Sequence, residues 1–321
     1  MDGEAELLLR INGRHAAWPA RLAGRSPRDA EVRRAPYRAA NTSISLLLRR
    51  GGELLLHVLI DVGLGVVNSL LELERTGGVD RVDALCLTHS HFDHIAGLDW
   101  LLASLARSPV AGQPWPLPLF CTSACFDEVF EPPRMLYFWR ASVAHTPLLP
   151  GAPVTIAGRG GAVITVSAVP VEHGPTAPGA AILAVETRWT GRPLRFGFAW
   201  DLLRLAPGAE PAPFFDCDLL FVDSTTVHPM HDPENPAGHR NWHISVEEML
   251  ALTAPWRPRR TYLIHYAGSR DDEPSPHDCL APEVTRPLTN AELRRLAARL
   301  GKTHARDLRV AAHGRVIRYS G

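Results

Sequence analysis

The sequence predicts an α/β fold in which sheets are sandwiched between helix layers. Short apolar runs alternate with helical patterns, several runs are apolar on successive residues as strands covered on both faces require, and two helices start with capping boxes. Glu6–Ile11, Ser43–Leu48 and Leu54–Ile60 are the first strand candidates. Val66–Arg75 follows as a helix stopped by Gly77-Gly78. The run Ala84–Thr88 predicts another strand, and Ile95–Arg107 a helix with Ile95, Leu98, Leu101, Leu102 and Leu105 on one face and a stop at Pro109. Four more strand candidates are Val163–Val171, Leu194–Trp200, Asp218–Val222 and Arg260–Ile264. The capping boxes Ser245-Val-Glu-Glu248 and Thr289-Asn-Ala-Glu292 open the last two helices. The Pro-rich stretches SPVAGQPWPLPLF and PGAEPAPFF read as loops, because strands resume on both sides. They are not domain linkers, so residues 1–321 read as a single domain, and the absence of a repeat period argues against a solenoid or propeller. The aromatic segment within 126–150 fits either a peripheral helix or a lid over an active site.

With 321 residues and 45% hydrophobic content, the chain can bury a sizeable core. Lys+Arg and Asp+Glu both total 34, so no overall field draws the protein to nucleic acid or membrane. A small-molecule substrate is the expected partner, and a homodimer is compatible with the pattern. The first residues lack the basic and apolar regions of a secretion signal, and no apolar run is long enough to span a bilayer. The expected location is the cytoplasm. Five scattered cysteines, Cys86, Cys121, Cys125, Cys217 and Cys279, argue against a disulfide framework and for reduced thiols. The pair in CTSAC could hold a structural metal, but no second pair lies nearby.

The stretch LTHSHFDHIAGL carries His89, His91, Asp93 and His94 where an apolar strand ends and an amphipathic helix begins. Loops of this kind carry sites. Imidazole nitrogen and carboxylate oxygen suit zinc, manganese or iron, and alternating positions can converge on metal from a tight turn.

His89-Ser-His91-Phe-Asp93-His94 resembles the HxHxDH motif of the metallo-β-lactamase superfamily. The resemblance implies a four-layer αββα sandwich and three further ligands at strand ends. SAVPVEHG supplies His173, LRFGFAWD supplies Asp201, and RTYLIHY supplies His265. By the family pattern His89, His91 and His173 bind one metal, Asp93, His94 and His265 bind the other, and Asp201 bridges them. Two divalent ions are thereby implied, zinc first, with manganese or iron as alternatives. Such a pair acidifies a shared water and neutralises charge at the attacked centre, so hydrolysis is the implied reaction class. In LIDVG, Asp61 could hold a ligand histidine from behind, or simply end a strand. Trp200 precedes Asp201 where the family commonly has glycine.

The superfamily hosts many hydrolases, so residues outside the ligand set must select the substrate. His228, His231, His239 and His243 crowd one stretch, and His243 stands 22 residues before His265, just ahead of the Ser245 capping box. This placement resembles phosphodiesterases of the superfamily, above all those that open a phosphoribosyl 1,2-cyclic phosphate. It implies attack by a metal-bridging hydroxide on phosphorus, with Asp93 and His243 as candidate catalytic residues and His243 as general acid to the departing alkoxide. His228, His239 and Arg240 are candidate substrate-binding residues. One alternative is a lactone or thioester hydrolase. Another is a non-catalytic cofactor-handling protein, since VDALCLTHSHFDHIAGL is also similar to the pyrroloquinoline-quinone accessory proteins. Nucleic acid is disfavoured as substrate, because the chain lacks an evident basic arm to hold RNA.

Overall fold

The computed structural model describes residues 3–16, 39–107, 110–225, 243–265 and 307–321. In chain order the first sheet takes β1 (Ala5–Gly13), β2 (Ser43–Arg50), β3 (Glu53–Ile60), β4 (Ala84–Cys86), β5 (Leu117–Cys121) and β6 (Val143–Pro147). The second takes β7 (Val154–Ala157), β8 (Val163–Glu172), β9 (Ala181–Thr187), β10 (Leu194–Ala199), β11 (Arg204–Leu205), β12 (Leu219–Asp223), β13 (Thr261–Ile264) and β14 (Leu308–Val310). β15 (Val316–Ser320) returns to the first sheet, whose order is β15-β1-β2-β3-β4-β5-β6. The second sheet runs β11-β8-β9-β10-β12-β13-β14, with β7 paired to β8. Both sheets are mixed. β3 to β6 are parallel, as are β10, β12, β13 and β14, while the remaining pairings are antiparallel.

The period-2 alternation of strand side chains builds the layers. On β12, Leu219 and Phe221 face the core between the sheets, where they join Val58, Ile60 and Phe198. Leu220 and Val222 point the other way, onto Val246, Met249 and Leu250 of a helix at Val246–Thr253. On the first sheet, Leu59, Leu85 and Leu119 pack against Val66, Leu98, Leu101 and Phe126. Those residues come from α1 (Val66–Gly77), α3 (Leu98–Arg107) and α4 (Ser123–Phe130), with the single turn α2 (Phe92–Ile95) between the first two and α5 (Val246–Thr253) on the far side. The order helix, sheet, sheet, helix is the expected four-layer sandwich.

Each strand read from the sequence has a counterpart, shifted by a few residues at its ends. β4 stops at Cys86, two residues short of the expected Thr88. The expected helix from Ile95 is two helices, α2 and α3, because Gly97 N–H donates to Val62 O at 2.7 Å instead of extending the turn. The Pro-rich stretch before Cys121 is not all loop, since it contains β5. Of segment 126–150, Val143–Pro147 is an edge strand and Phe126–Phe130 belongs to α4. Between them a 3-10 turn, Tyr137–Ser142, docks on α3 through Trp139 Nε1 donating to Asp99 Oδ1 at 2.6 Å, while Tyr137 and Phe138 stay exposed. The capping box at Ser245 is formed in full, and that at Thr289 lies outside the described residues. Among the described residues no helix is long and apolar enough to cross a membrane.

Candidate active site

Parallel strands end together, so the residues that follow them gather at one rim of the sandwich. Asp61 follows β3, His89 to His94 lie beyond β4, His173 follows β8, Asp201 lies just past β10, Asp223 ends β12, and His265 follows β13. α2 is pinned beneath this rim by Val62 N–H donating to His94 O at 2.8 Å. Gly63 is required there, because a Cβ would collide with the Asp93 carbonyl. Asp93 and His94 therefore sit on a helical turn, not in the open loop that the sequence suggests.

All seven sequence-derived ligand candidates meet. The donor atoms of His89, His91 and His173 lie within 4.8 Å of one another, as do those of Asp93, His94 and His265, and those of His89, His94 and Asp201. His173 Nε2 is 3.0 Å from His91 Nδ1. Asp201 faces both groups: Oδ1 lies 3.4 Å from His173 Nε2, and Oδ2 lies 3.0 Å from His94 Nε2 and 3.2 Å from His265 Nε2. His228, His231, His239 and Arg240 lie outside the described residues.

Partners behind four of the five imidazoles assign each of those rings one inward nitrogen. His94 Nδ1 is 2.8 Å from Asp61 Oδ2, His89 Nδ1 is 3.1 Å from Thr88 Oγ1, and His265 Nδ1 is 2.8 Å from Thr225 Oγ1. His91 is turned the other way, with Nε2 2.9 Å from Thr176 Oγ1. Metal-binding histidines are held in this manner through their second nitrogen. His89 Nε2 is buried without a hydrogen-bond partner, which a neutral imidazole tolerates when a cation takes its lone pair. The donor set therefore fits divalent metal ions.

Charge and backbone both show the cost of assembling this cluster. Burial and the neighbouring His94, His173 and His91 push the His89 imidazole well below its usual range. Burial opposes charge on His265 as well, but Asp201, Asp223 and Asp93 outweigh it and raise the group to about 10. Burial would raise Asp201, yet His265 and His94 bring it down to about 2. Asp61, Asp201 and His265 have left-handed backbone, with φ of 55°, 56° and 64°. Residues other than glycine adopt that region at a cost of order 1–3 kcal/mol, and such strain concentrates at functional sites.

His243 joins the cluster. Its Nδ1 is 2.9 Å from Asp223 Oδ2, and its ring centroid lies 4.9 Å from that of His173 and 5.5 Å from that of His265. Ile244 N–H donates to Leu202 O at 2.7 Å, and Ser245 caps α5, so His243 is anchored immediately on its C-terminal side. Asp223 was not singled out in the sequence, although it closes the apolar run LLFVD as Asp61 closes LLLHVLID. Fully buried, it also accepts Asp201 N–H at 3.0 Å and Thr225 N–H at 2.7 Å. Thr176 and Thr225 went unnoticed because a lone threonine carries no sequence signal. Trp200, where a glycine is common, turns its indole N–H onto Asp61 Oδ2 at 3.0 Å.

Residues 57–266 match the family described as the beta-lactamase superfamily domain. No curated protein matches the chain in sequence. Among solved structures it is similar to a new diphosphatase from the PhnP family, at 18% identity over 98% of this chain and 98% of that one, with a TM-score of 0.64. It is also similar to zinc-bound PqqB from Methylobacterium extorquens (17% identity, 97% and 99% covered, TM-score 0.59). A third likeness is to the short form of human tRNase Z (16% identity, 97% and 98% covered, TM-score 0.54). At these identities the likeness concerns the fold. Because the family match spans more than half of the chain and the rim carries that family's pattern of histidine and aspartate, this chain belongs to the beta-lactamase superfamily and has the metallo-β-lactamase fold.

Proposed function

We propose that the chain is a dinuclear metal-dependent hydrolase acting on small phosphodiesters, with His243 as general acid. The observation that carries this reading is the seat of His243, tied to Asp223 at 2.9 Å and standing beside both His173 and His265. A proton donor there would reach a leaving group at the metal centre. His89, His91 and His173 would hold one ion, Asp93, His94 and His265 the other, and Asp201 would reach both; zinc suits this nitrogen-rich set, with manganese or iron as alternatives. Bound there, two divalent ions supply Lewis-acid charge and a water acidic enough to attack near neutral pH.

The protein's own part is orientation and proton transfer. With Asp223 accepting from His243 Nδ1–H, the transferable proton is assigned to Nε2. As the oxygen of water bonds to phosphorus and the bond to the leaving group breaks, that proton passes to the departing alkoxide oxygen. The fold likeness to a PhnP-family diphosphatase supports phosphoryl chemistry. One observation favours a second reading: Asp201, Asp223, His243 and His265 also bring donor atoms within 4.8 Å, so His243 could be a ligand instead of an acid.

His243→Ala separates the two. As general acid, its removal leaves metal content unchanged and slows an alkyl or ribosyl cyclic phosphate by roughly 10²- to 10⁴-fold, with a far smaller loss on a p-nitrophenyl phosphodiester whose leaving group needs no proton. Loss of metal from the variant makes His243 a ligand, and equal slowing of both substrates makes it a positioning group. Lactones and thioesters in the same assay test the carbonyl alternative, and turnover of none of these substrates would favour the cofactor-handling one.

A further inference from the structure

We infer that Trp200 is a positioning residue that fastens the two sheets to each other across the metal centre. The inference rests on the metal-centre reading above and concerns a residue outside its ligand set. Asp61 is fully buried and collects four donors: Thr88 N–H at 2.8 Å on Oδ1, then Thr88 Oγ1 at 2.7 Å, His94 Nδ1 at 2.8 Å and Trp200 Nε1 at 3.0 Å on Oδ2. The first three come from the first sheet and its helices. Trp200 alone of the four comes from the second, at the end of β10.

The ligands divide along the same line. His89, His91, Asp93 and His94 belong to the segment that follows β4 of the first sheet, whereas His173, Asp201 and His265 follow strands of the second. Metal sites tolerate only a few tenths of an ångström of error in ligand position. Apolar packing between the sheets is non-directional and does not set their relative register so finely. A hydrogen bond to a buried carboxylate does, because it is directional and its loss removes one of the four donors that compensate the charge. Trp200 also precedes Asp201, whose left-handed backbone (φ 56°) is held by Asp223 Oδ2 on Asp201 N–H at 3.0 Å. Asp201 is therefore fixed from both sides: its own amide by Asp223, and its predecessor's indole by Asp61. The glycine common at this position could not form that link.

The rival account is that the indole merely fills volume beside Phe198, whose ring centroid lies 5.7 Å away. Trp200→Phe keeps an aromatic ring and removes the N–H, whereas Phe198→Leu removes ring volume from the same core and keeps the N–H bond. Zinc affinity of the metal-stripped proteins, measured by competition with a chromophoric chelator, separates the accounts. Trp200→Phe should weaken the less tightly held ion about tenfold, the lower end of the range for groups behind metal ligands, while Phe198→Leu stays within about twofold of the unmutated chain. Unchanged affinity in Trp200→Phe, or an equal loss in Phe198→Leu, overturns the inference. If the unmutated chain takes up a single ion, the dinuclear reading fails, and the same comparison is made at that ion. Should Trp200→Phe not fold, the unmutated chain labelled with ¹⁵N-tryptophan gives a second reading: one solvent-protected indole N–H resonance should shift when zinc is added, and the absence of any such response overturns the inference.

Discussion

His57 shows what burial does to an imidazole away from the site. It lies within the first sheet's polar interior, with Nδ1 2.6 Å from Arg81 O and Nε2 2.8 Å from Ser45 Oγ, a pairing that fixes one neutral tautomer. Burial lowers its pKa from 6.5 to about 4, against the raising pull of the Arg81 carbonyl and Asp83. The folded value lies below the unfolded one, so the unfolded chain takes up the proton first as pH falls. Stability contributed by neutral His57 is thus complete above about pH 6.5 and is lost progressively down to about pH 4, a change of about 3 kcal/mol from the shift. Urea unfolding of the metal-stripped chain at pH 7 and pH 4.5 checks this. His57→Gln should lose markedly less stability between those two conditions than the unmutated chain; an equal loss would place the acid sensitivity elsewhere. His265 in the site differs because carboxylates face it: Asp201, Asp223 and Asp93 overturn the same burial penalty there, whereas His89, set among other imidazoles, stays lowered.

At the scale of elements, α5 was legible in advance because its capping box is local: Ser245 Oγ accepts Glu248 N–H, and the Glu248 carboxylate accepts Ser245 N–H at 3.1 Å. Ser245→Ala should cost about 1 kcal/mol, read as a lower midpoint in thermal or urea unfolding. No loss would mean that Leu202 O on Ile244 N–H, not the cap, fixes the start of the helix. The largely apolar runs of β3 and β12 and the alternating burial of β8 were legible for the same local reason. β5 was not, since Pro116 and Pro118 read as loop, yet Pro118 sits within the ladder opposite Ala144. β9, Ala181–Thr187, is buried on both faces like β12, but its run AILAVET mixes helix-favouring Ala, Leu and Glu with Ile and Val, so neither period nor composition marks it as a strand. Among site residues, the ligands were visible as a dense motif plus matching strand ends. Asp223, Thr225, Thr176 and the Trp200 contact were not, because each acts on a residue far away in sequence: Trp200 and Asp61 are 139 residues apart.

In the whole molecule, the two sheets each bring part of one histidine and aspartate cluster suited to divalent metal to a shared rim, and neither part is complete alone. Asp201 embodies this, with one oxygen toward His173 and the other toward His94 and His265. On the proposed dinuclear reading, catalysis needs both positions filled. Metal-stripped protein titrated with zinc, with phosphodiester turnover followed at each addition, tests it most directly. Little activity is expected through the first equivalent, then a rise that saturates near two ions per chain, with loss of the second equivalent in Asp201→Ala. Full activity at one equivalent, or none with two ions bound, would contradict it.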